Sequence, residues 1–371
     1  MSQKTIYHDY IQNIKDIVGN VELQKSFSSN EQLWESKQMT HEQADKISGI
    51  DPGISLRDLA QLLNINVIKA PVLGDHPDFK HLRHQEGFPS DYHYIVSMFI
   101  DVKGSTNFHK KYSLNQIGLI NQTIILAAIH TCALFGGHIQ RLQGDGVFTY
   151  FGGRQTKKNV AVQSAINAAA FFTYFIKYEL AGIFALDGID KIDTRIGIDF
   201  GEDYDVQWAI FGSGSCTELT TNSLHTSLAS KMQANASPNG IVVGKNIKDK
   251  MGQADIFTDY IRDNSDNIDE SKRYIYKDAN KNFNYSQHKF LWSDYLLKSF
   301  PFIKKDDNDN IFIDYDYDET AFRNELNRLD ILKKTTDNFS SNKSYLDKTG
   351  NINTLGSGVI IPNNRFYFEN D

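Results

Sequence analysis

The sequence is poor in cysteine and proline, and it has no excess of basic residues. Its 371 residues include 2 cysteines and 7 prolines, and 39 lysines and arginines stand against 46 aspartates and glutamates, for a formal net charge of -7. Cys132 and Cys216 lack metal-ligand spacing, so the sequence predicts neither a disulfide framework nor a zinc site. A reducing, cytoplasmic environment fits this cysteine usage best.

The acidic balance limits the partners of the protein. The isoelectric point is near 5.9, so the chain has no basic field to drive counterion release on nucleic acid or attraction to an anionic membrane. We therefore expect no nucleic-acid partner and no membrane partner. A phosphate-bearing ligand would have to be met by local charges or by metal.

Uninterrupted apolar runs are also scarce. The first ten residues, MSQKTIYHDY, contain no apolar stretch of the signal-peptide type. The richest apolar run, residues 165–186, is interrupted by Asn167, Lys177 and Glu179. This composition predicts a long, mostly buried helix rather than a membrane span.

The chain divides by composition and hydrophobic pattern into three parts. Residues 1–91 predict a helical or irregular segment, residues 92–250 an α+β domain, and residues 251–371 a polar, partly loop-like extension. Within the middle part, YIVSMFID and TRIGIDFG predict strands, GHIQRLQ and VFTYFG a hairpin, and LHTSLASKMQANA a helix. We therefore expect one mixed or antiparallel sheet covered by helices.

One aspartate stands between two glycines at the junction of two strand-like runs, in QRLQGDGVFTYFGG. Asp-Gly between such runs is a strong hairpin signal, so a turn is the simple structural interpretation of Asp145. The flanking glycines also leave its carboxylate open to a bulky ligand or a metal ion. Asp101, in FIDVKGST, would bring a second carboxylate to a strand end, beside a loop whose amides could face phosphate oxygens.

Four stretches occur in the order found in a known enzyme family: FIDVKGST, GHIQRLQGDGVFTYFG, TRIGIDFG and LASKMQANASPNGIVVG. Together they resemble the catalytic domain of class III nucleotidyl cyclases, the adenylate and guanylate cyclase family. The resemblance covers roughly residues 94–245 and rests on several ordered motifs. It implies a ferredoxin-like α+β fold.

The resemblance implies roles for five positions. Asp101 and Asp145 match the two metal-binding aspartates of the family, and the carbonyl of Val102 matches its backbone metal ligand, which implies two divalent ions, Mn²⁺ or Mg²⁺. Lys231 stands where the family usually has a transition-state arginine, and Ser227, four residues earlier, where it usually has asparagine. Lysine keeps a cation near the phosphate but loses the bidentate fork, and serine is shorter than asparagine.

Two further positions match the residues with which the family reads the base. They are Arg141, four residues before Asp145, and Thr220, eleven residues before Lys231. Arginine has donors only, which suits an acceptor-rich base edge and favours UTP, while O2 and N3 of cytosine leave CTP open. This combination and the motif SLASKMQ resemble the pyrimidine cyclases of bacterial Pycsar antiphage systems, in which cyclic UMP or cyclic CMP activates a separate effector.

The family resemblance also implies a head-to-tail homodimer, in which one protomer holds the metals and the other supplies the base and transition-state residues. A cytidylate cyclase, a conventional adenylate cyclase and a cyclase-like binding protein without turnover remain alternatives to a uridylate cyclase. Each position also has a structural interpretation. Asp101 could cap a turn, Arg141 could be an exposed strand residue, Lys231 could be a solvated helix residue, and Thr220 and Ser227 could be ordinary polar residues.

Overall fold

The computed structural model describes residues 59–65, 71–186 and 188–318. Most of the predicted N-terminal segment, and the predicted C-terminal extension after residue 318, lie outside these ranges. The described chain forms two compact units, one that reaches Leu296 and one that starts at Leu297. All predicted site residues lie in the first unit.

Thirteen strands lie in the part of the chain that the structure describes. Their bounds are β1 (Ser90–Tyr92), β2 (Ile95–Val102), β3 (His138–Gln143), β4 (Gly146–Phe151), β5 (Thr194–Gly201), β6 (Gln207–Ser213), β7 (Cys216–Asn222), β8 (Gly240–Gly244), β9 (Thr258–Asp259), β10 (Tyr274–Asp278), β11 (Phe283–Phe290), β12 (Ile303–Lys305) and β13 (Ile311–Ile313). The predicted strands and the predicted hairpin of β3 and β4 are confirmed.

Seven α-helices lie wholly within the described residues. Their bounds are α1 (Leu114–Leu134), α2 (Lys158–Tyr174), α3 (Ala181–Leu186), α4 (Leu224–Asn235), α5 (Lys245–Lys250), α6 (Ala254–Phe257) and α7 (Trp292–Ser299). A π-helical turn, Phe175–Leu180, joins α2 to α3, so the predicted long helix is confirmed. A capping box starts α1: the Ser113 hydroxyl accepts from the Gln116 N–H, and the Gln116 side chain accepts from the Ser113 N–H.

The larger sheet has the strand order β10-β11-β8-β5-β2-β4-β3, with β9 paired to β11. The strands β5 and β8 are parallel, while the other neighbours along this order are antiparallel. The predicted α+β class with a mixed sheet is therefore confirmed. Nearly every residue of β2 and β5 is buried, which is typical of central strands with both faces covered.

The packing crosses both predicted domain boundaries, at residues 91 and 250. A 3₁₀ helix, Pro77–His84, buries Phe79, whose ring stacks on Trp208 of β6 with 4.0 Å between ring centroids. Beyond residue 250, β11 pairs with β8 so that Phe290 lies opposite Ile241. Segments from both sides of the predicted domain therefore contribute to the first unit.

One helix among the described residues, α1, is long and apolar enough to cross a membrane by length and composition. In its most apolar window, 72% is buried inside the protein. This burial is typical of a core helix, and α1 packs against α2 and against the hairpin of β3 and β4.

Candidate active site

The hairpin of β3 and β4 places Asp145 at its tip. Gln143 pairs with Gly146, which leaves Gly144 and Asp145 as a two-residue turn. Gly144 has a φ of +63°, a left-handed conformation that costs glycine little. The tight turn holds the Asp145 carboxylate at a defined place at the end of two strands.

The predicted metal-binding residues lie at the neighbouring ends of β2 and β4. The strands β2 and β4 pair in antiparallel register up to Ile100, so Asp101 lies beside the Asp145 turn. A Cβ added to Gly146 would lie 2.8 Å from the Ile100 carbonyl oxygen and 3.9 Å from the Asp101 Cα, so this close approach requires glycine. Val102, the last residue of β2, directly follows Asp101. We call Asp101, Val102 and Asp145 the metal edge.

The two carboxylates of the metal edge have different surroundings. Oδ2 of Asp101 accepts hydrogen bonds from Arg195 Nη2 (2.6 Å) and Gln233 Nε2 (3.0 Å). Oδ2 of Asp145 is buried and has no hydrogen-bond partner within the described ranges. A buried carboxylate oxygen without a partner is costly, and a bound cation would satisfy it.

The donor set of the metal edge fits Mg²⁺ or Mn²⁺ bound together with a triphosphate. The described residues contain no group of three or more His, Cys, Asp or Glu side chains arranged to hold a metal ion. Such hard cations are commonly bound by one or two carboxylates, with the substrate phosphates completing the shell. The unpartnered Asp145 oxygen and the Asp101 carboxylate, on the neighbouring strand end, would be the protein ligands of such a cation.

Arg195 of β5 is a site candidate that the sequence analysis missed. It lies directly opposite Asp101 in the register of β2 and β5, and its side chain is 23% exposed. A guanidinium is well suited to phosphate oxygens, so Arg195 is a candidate phosphate contact beside the metal edge. The available signal was an arginine inside the mostly apolar strand TRIGIDFG, but its partner depends on strand register.

Helix α4 lies directly on the sheet. A Cβ added to Gly197 of β5 would lie 2.1 Å from the Ala229 carbonyl oxygen, so glycine is needed for this approach. Ser227 and Lys231, spaced by one helical turn, share the exposed face of α4. Gln233, rather than Lys231, reaches Asp101 of the same chain. Within the described ranges, the structure does not bring Ser227 or Lys231 to the metal edge of their own protomer.

A buried polar cluster anchors the start of α4. Asp199 of β5 is fully buried; His225 Nδ1 lies 2.9 Å from its Oδ2, and the Tyr285 hydroxyl donates to its Oδ1 at 2.7 Å. Burial opposes protonation of His225, but the Asp199 carboxylate outweighs it and raises the pKa of His225 above its usual value. The cluster fixes the helix that carries Ser227 and Lys231.

The predicted base-contact residues lie together on β3 and β7. Arg141 Nε donates to Glu218 Oε1 at 2.9 Å, and Arg141 Nη2 pairs with Glu218 Oε2. Thr220 lies two residues after Glu218 on the same strand, so both point to one side of it. We call Gln140, Arg141, Glu218 and Thr220 the base edge. Glu218 was missed by the sequence analysis.

The base edge is already hydrogen-bonded within the chain. The hydrogen bond to Glu218 raises the pKa of the Arg141 guanidinium, which keeps its charge. Oγ1 of Thr220 lies 3.2 Å from the Tyr150 hydroxyl, and burial raises the pKa of Tyr150 to about 12, so this hydroxyl stays protonated. A ligand would therefore meet an ordered set of donors and acceptors.

Similar proteins were found by sequence. No family model matches the chain. The chain is 38% identical over 224 residues to a protein named cytidylate cyclase from Staphylococcus aureus, with 60% of this chain and 52% of that protein covered. It is 34% identical over 233 residues to a cytidylate cyclase from Escherichia coli, with 61% of this chain and 48% of that protein covered. The predicted resemblance to pyrimidine nucleotide cyclases is confirmed. The chain spans about half the length of these curated relatives.

The structure is also similar to that of an adenylyl cyclase from P. aeruginosa, CyaB. That comparison has a TM-score of 0.44 and 18% identity, and it covers 55% of this chain and 95% of that chain. The structure of the guanylyl cyclase Cya2 has a TM-score of 0.43 and 16% identity, with 55% and 93% covered.

Proposed function

We propose that the protein is a metal-dependent pyrimidine nucleotide cyclase that converts CTP to 3′,5′-cyclic CMP and pyrophosphate. The observation that carries this proposal is the metal edge: a buried, unpartnered Asp145 oxygen lies beside the Asp101 carboxylate at the ends of paired strands. A nucleotide-binding protein without turnover has little need for two aligned carboxylates. This retention favours an enzyme over the binding-protein alternative.

Each residue of the site has a separate task in the proposed reaction. Asp101, Asp145 and the Val102 carbonyl would hold two divalent cations, which would lower the pKa of the ribose 3′-hydroxyl and neutralise charge on the leaving pyrophosphate. Arg195 would bind oxygens of the triphosphate tail, because its guanidinium lies beside Asp101. Lys231 would stabilise negative charge on the α-phosphate in the transition state.

Lys231 and Ser227 support a site shared between two protomers. Both lie on the exposed face of α4, while Gln233 occupies the contact with Asp101 of the same chain. In a head-to-tail homodimer, a second copy would present its Lys231 and its base edge to this metal edge. A monomer would then lack a complete site.

CTP replaces UTP as the favoured substrate. The preference for UTP treated Arg141 as a free set of donors, whereas its guanidinium is paired with the Glu218 carboxylate. Both relatives described above are named cytidylate cyclase. UTP remains the second candidate, because Arg141 still has unused N–H groups that could reach a carbonyl oxygen.

The proposal is tested by incubating the purified protein with Mn²⁺ or Mg²⁺ and with ATP, GTP, CTP and UTP in separate reactions. Products are identified by mass spectrometry beside an Asp145→Ala control. We expect cyclic CMP from the wild type and none from the control. Cyclic AMP or cyclic GMP as the main product would contradict a pyrimidine cyclase. Cyclic UMP as the main product would make UTP, rather than CTP, the substrate. No cyclic product from a dimeric sample would favour a binding protein.

The product would act as a second messenger for a separate effector in antiphage defence, as the Pycsar resemblance implies. This role predicts that cyclic CMP rises after phage infection of bacteria that carry the wild-type protein. Cells that carry Asp145→Ala serve as the control. An unchanged cyclic CMP level across a panel of phages would contradict the role without affecting the proposed chemistry.

A further inference from the structure

The base edge contains a carboxylate at a position for which the sequence resemblance assigns no role. The pairing of β3 with β4 shifts register between Ile139 and Arg141, so Gln140 is the extra residue of a β-bulge. Gln140 Nε2 donates to Glu218 Oε1 at 3.2 Å and to the Leu219 carbonyl at 2.9 Å. Bulges redirect side chains and are common next to active sites. Here the bulge directs two consecutive side chains of β3 towards Glu218.

The hydrogen-bonding capacity of this cluster is not exhausted within the chain. A carboxylate has about four acceptor positions; Glu218 Oε1 receives Gln140 and Arg141, and Oε2 receives Arg141 alone. The Arg141 guanidinium keeps unused N–H groups on Nη1 and Nη2. Oε1 of Gln140 is itself buried with no partner among the described residues. The cluster therefore retains both donors and acceptors for a ligand.

The pair is accessible to a ligand. The side chain of Arg141 is 40% exposed and that of Glu218 is 35% exposed. An ion pair at this exposure contributes little to folding stability, so removing its charge should leave the fold intact. Effects of such a change on substrate choice can then be measured on folded protein.

The order of groups along the pair matches one pyrimidine better than the other. Arg141 uses Nε and one N–H of Nη2 to pair with Glu218, so its unused donors are on Nη1 and Nη2. The free acceptor position of Glu218 Oε2 follows Nη2, which gives the order donor, donor, acceptor. Cytosine presents acceptor, acceptor, donor along O2, N3 and its N4 amino group. Uracil presents acceptor, donor, acceptor along O2, N3 and O4, so two of its three groups would face a like partner.

We propose that Glu218 is a specificity-determining residue of the base edge, which accepts the N4 amino group of cytosine while Arg141 donates to O2 and N3. This inference rests on the proposed function, because it concerns the nucleotide that the same site cyclises. Gln140 is a positioning residue: it holds Glu218 Oε1 and leaves Oε2 for the base. The competing explanation is that the cluster only braces β3 against β7.

The test is Glu218→Gln, which keeps the shape of the side chain and removes its charge and one acceptor oxygen. The control is Glu270→Gln, because Glu270 also pairs with an arginine, Arg273, at 3.3 Å but lies on the surface outside the base edge. For each protein, kcat/KM for CTP and UTP and the equilibrium affinities for both nucleotides are measured. Melting temperature and dimer content verify folding.

We expect the CTP-to-UTP selectivity to fall by roughly tenfold or more in Glu218→Gln and to remain unchanged in Glu270→Gln, because one hydrogen bond to a charged group is lost. A bracing role would weaken both nucleotides equally, so unchanged selectivity overturns the inference. A wild type that prefers UTP also overturns it.

Binding separates this inference from the proposed function. Suppose that neither the wild type nor the variants turn over any nucleotide, but the wild type binds CTP more tightly than UTP and Glu218→Gln removes that preference. The cyclase proposal then fails, and the role of Glu218 stands. If the wild type makes cyclic CMP and Glu218→Gln keeps full selectivity in both measurements, the cyclase stands and the role of Glu218 fails.

Discussion

The metal edge lies at the ends of β2 and β4, and the base edge joins β3 to β7 of a separate three-stranded sheet. The two edges differ in how well their charges are satisfied. At the metal edge, one oxygen of Asp145 is buried without a partner among the described residues, while Asp101 accepts hydrogen bonds from Arg195 and Gln233. At the base edge, the Arg141 charge is neutralised by Glu218, and the Thr220 hydroxyl lies within hydrogen-bond distance of Tyr150. The first edge carries a net negative charge, because Arg195 balances only one of its two carboxylates, whereas the second is close to neutral.

This difference indicates two kinds of ligand recognition. An unsatisfied carboxylate attracts cations strongly but gives little geometric selection, because one oxygen accepts from many directions. A neutral, internally hydrogen-bonded cluster attracts weakly, but its fixed order of donors and acceptors distinguishes ligands of similar charge. We therefore expect the metal edge to determine whether reaction occurs, and the base edge to determine which nucleotide reacts.

Asp145→Asn should have the largest effect, since it removes one of the two carboxylate charges of the metal edge. We expect cyclic nucleotide formation to fall on the order of 10³-fold, the upper range for losing one charge-stabilising group. In the absence of metal, the Asp145→Asn variant should be as stable as wild type or slightly more stable, because the unsatisfied buried carboxylate of wild type costs about 1–3 kcal/mol. The increase in melting temperature with Mn²⁺ should disappear.

Asp190→Asn is the control for that substitution. Asp190 is an exposed carboxylate that pairs with Lys111 at 2.6 Å, so its removal should leave turnover and the Mn²⁺ response unchanged. An Asp145→Asn protein that is still stabilised by Mn²⁺ as strongly as wild type would show that the metal is held elsewhere.

Mixing two inactive variants sharpens the comparison, because it tests whether the two edges of one site come from different chains. Asp145→Asn and Lys231→Ala should each be nearly inactive as homodimers. After co-refolding, a heterodimer has one site with both groups intact, so we expect about a quarter of wild-type activity. Activity is measured as cyclic CMP formed per total protein.

The control for the mixing experiment is a Lys231→Ala, Asp145→Asn double variant mixed with wild type. Its heterodimers contain no complete site, so activity should follow the remaining wild-type homodimers alone. Mixtures of the two single variants that stay inactive, with heterodimers present, would place Lys231 and the metal edge of one site in the same chain.

Local sequence signals predicted the backbone positions of Asp145 and Asp101, while their metal-binding role stays a prediction. Asp-Gly between two strand-like runs predicts a turn from short-range chemistry alone, and the hairpin of β3 and β4 bears this out at Asp145. A hydrophobic run that ends in Asp101 likewise predicts a carboxylate at a strand end. The chain brings these two ends together because β2 and β4 are neighbours.

The partners of the site residues could not be predicted from the sequence. Glu218 and Arg141 are separated by 77 residues, and their contact depends on β7 lying beside a bulge in β3. Arg195 and Asp101 are separated by 94 residues, and a register shift of one residue would turn Arg195 to the other face. Such contacts follow from tertiary packing, which single-sequence periodicity does not encode.

Thr220→Val should have a moderate effect at the base edge. The substitution keeps the shape but removes the hydroxyl that lies 3.2 Å from the Tyr150 hydroxyl. We expect KM for CTP to rise about 3- to 10-fold with kcat nearly unchanged, the size expected for one neutral hydrogen bond. Thr221→Val is the control: Thr221 Oγ1 also contacts the Tyr150 hydroxyl, at 2.8 Å, and its loss should lower the melting temperature without changing KM. Equal KM values for both variants and wild type would remove Thr220 from the base edge.

The smallest effect concerns the cluster that anchors α4 between the two edges. Because Asp199 raises the pKa of His225 in the folded protein, protonation stabilises the fold. This stabilisation is complete below the unfolded pKa of about 6.5 and is lost as pH rises through the higher folded value. Over that range, the free energy of unfolding, measured with urea, should fall more steeply for wild type than for His225→Gln. His288→Gln is a control of opposite sign: burial lowers the pKa of His288 to about 4, so its unfolded state binds more protons than its folded state, and the substitution should make the decline steeper near pH 6.5. Identical slopes for wild type and His225→Gln would mean that His225 is neutral beside Asp199, and the cluster would then hold α4 through neutral hydrogen bonds.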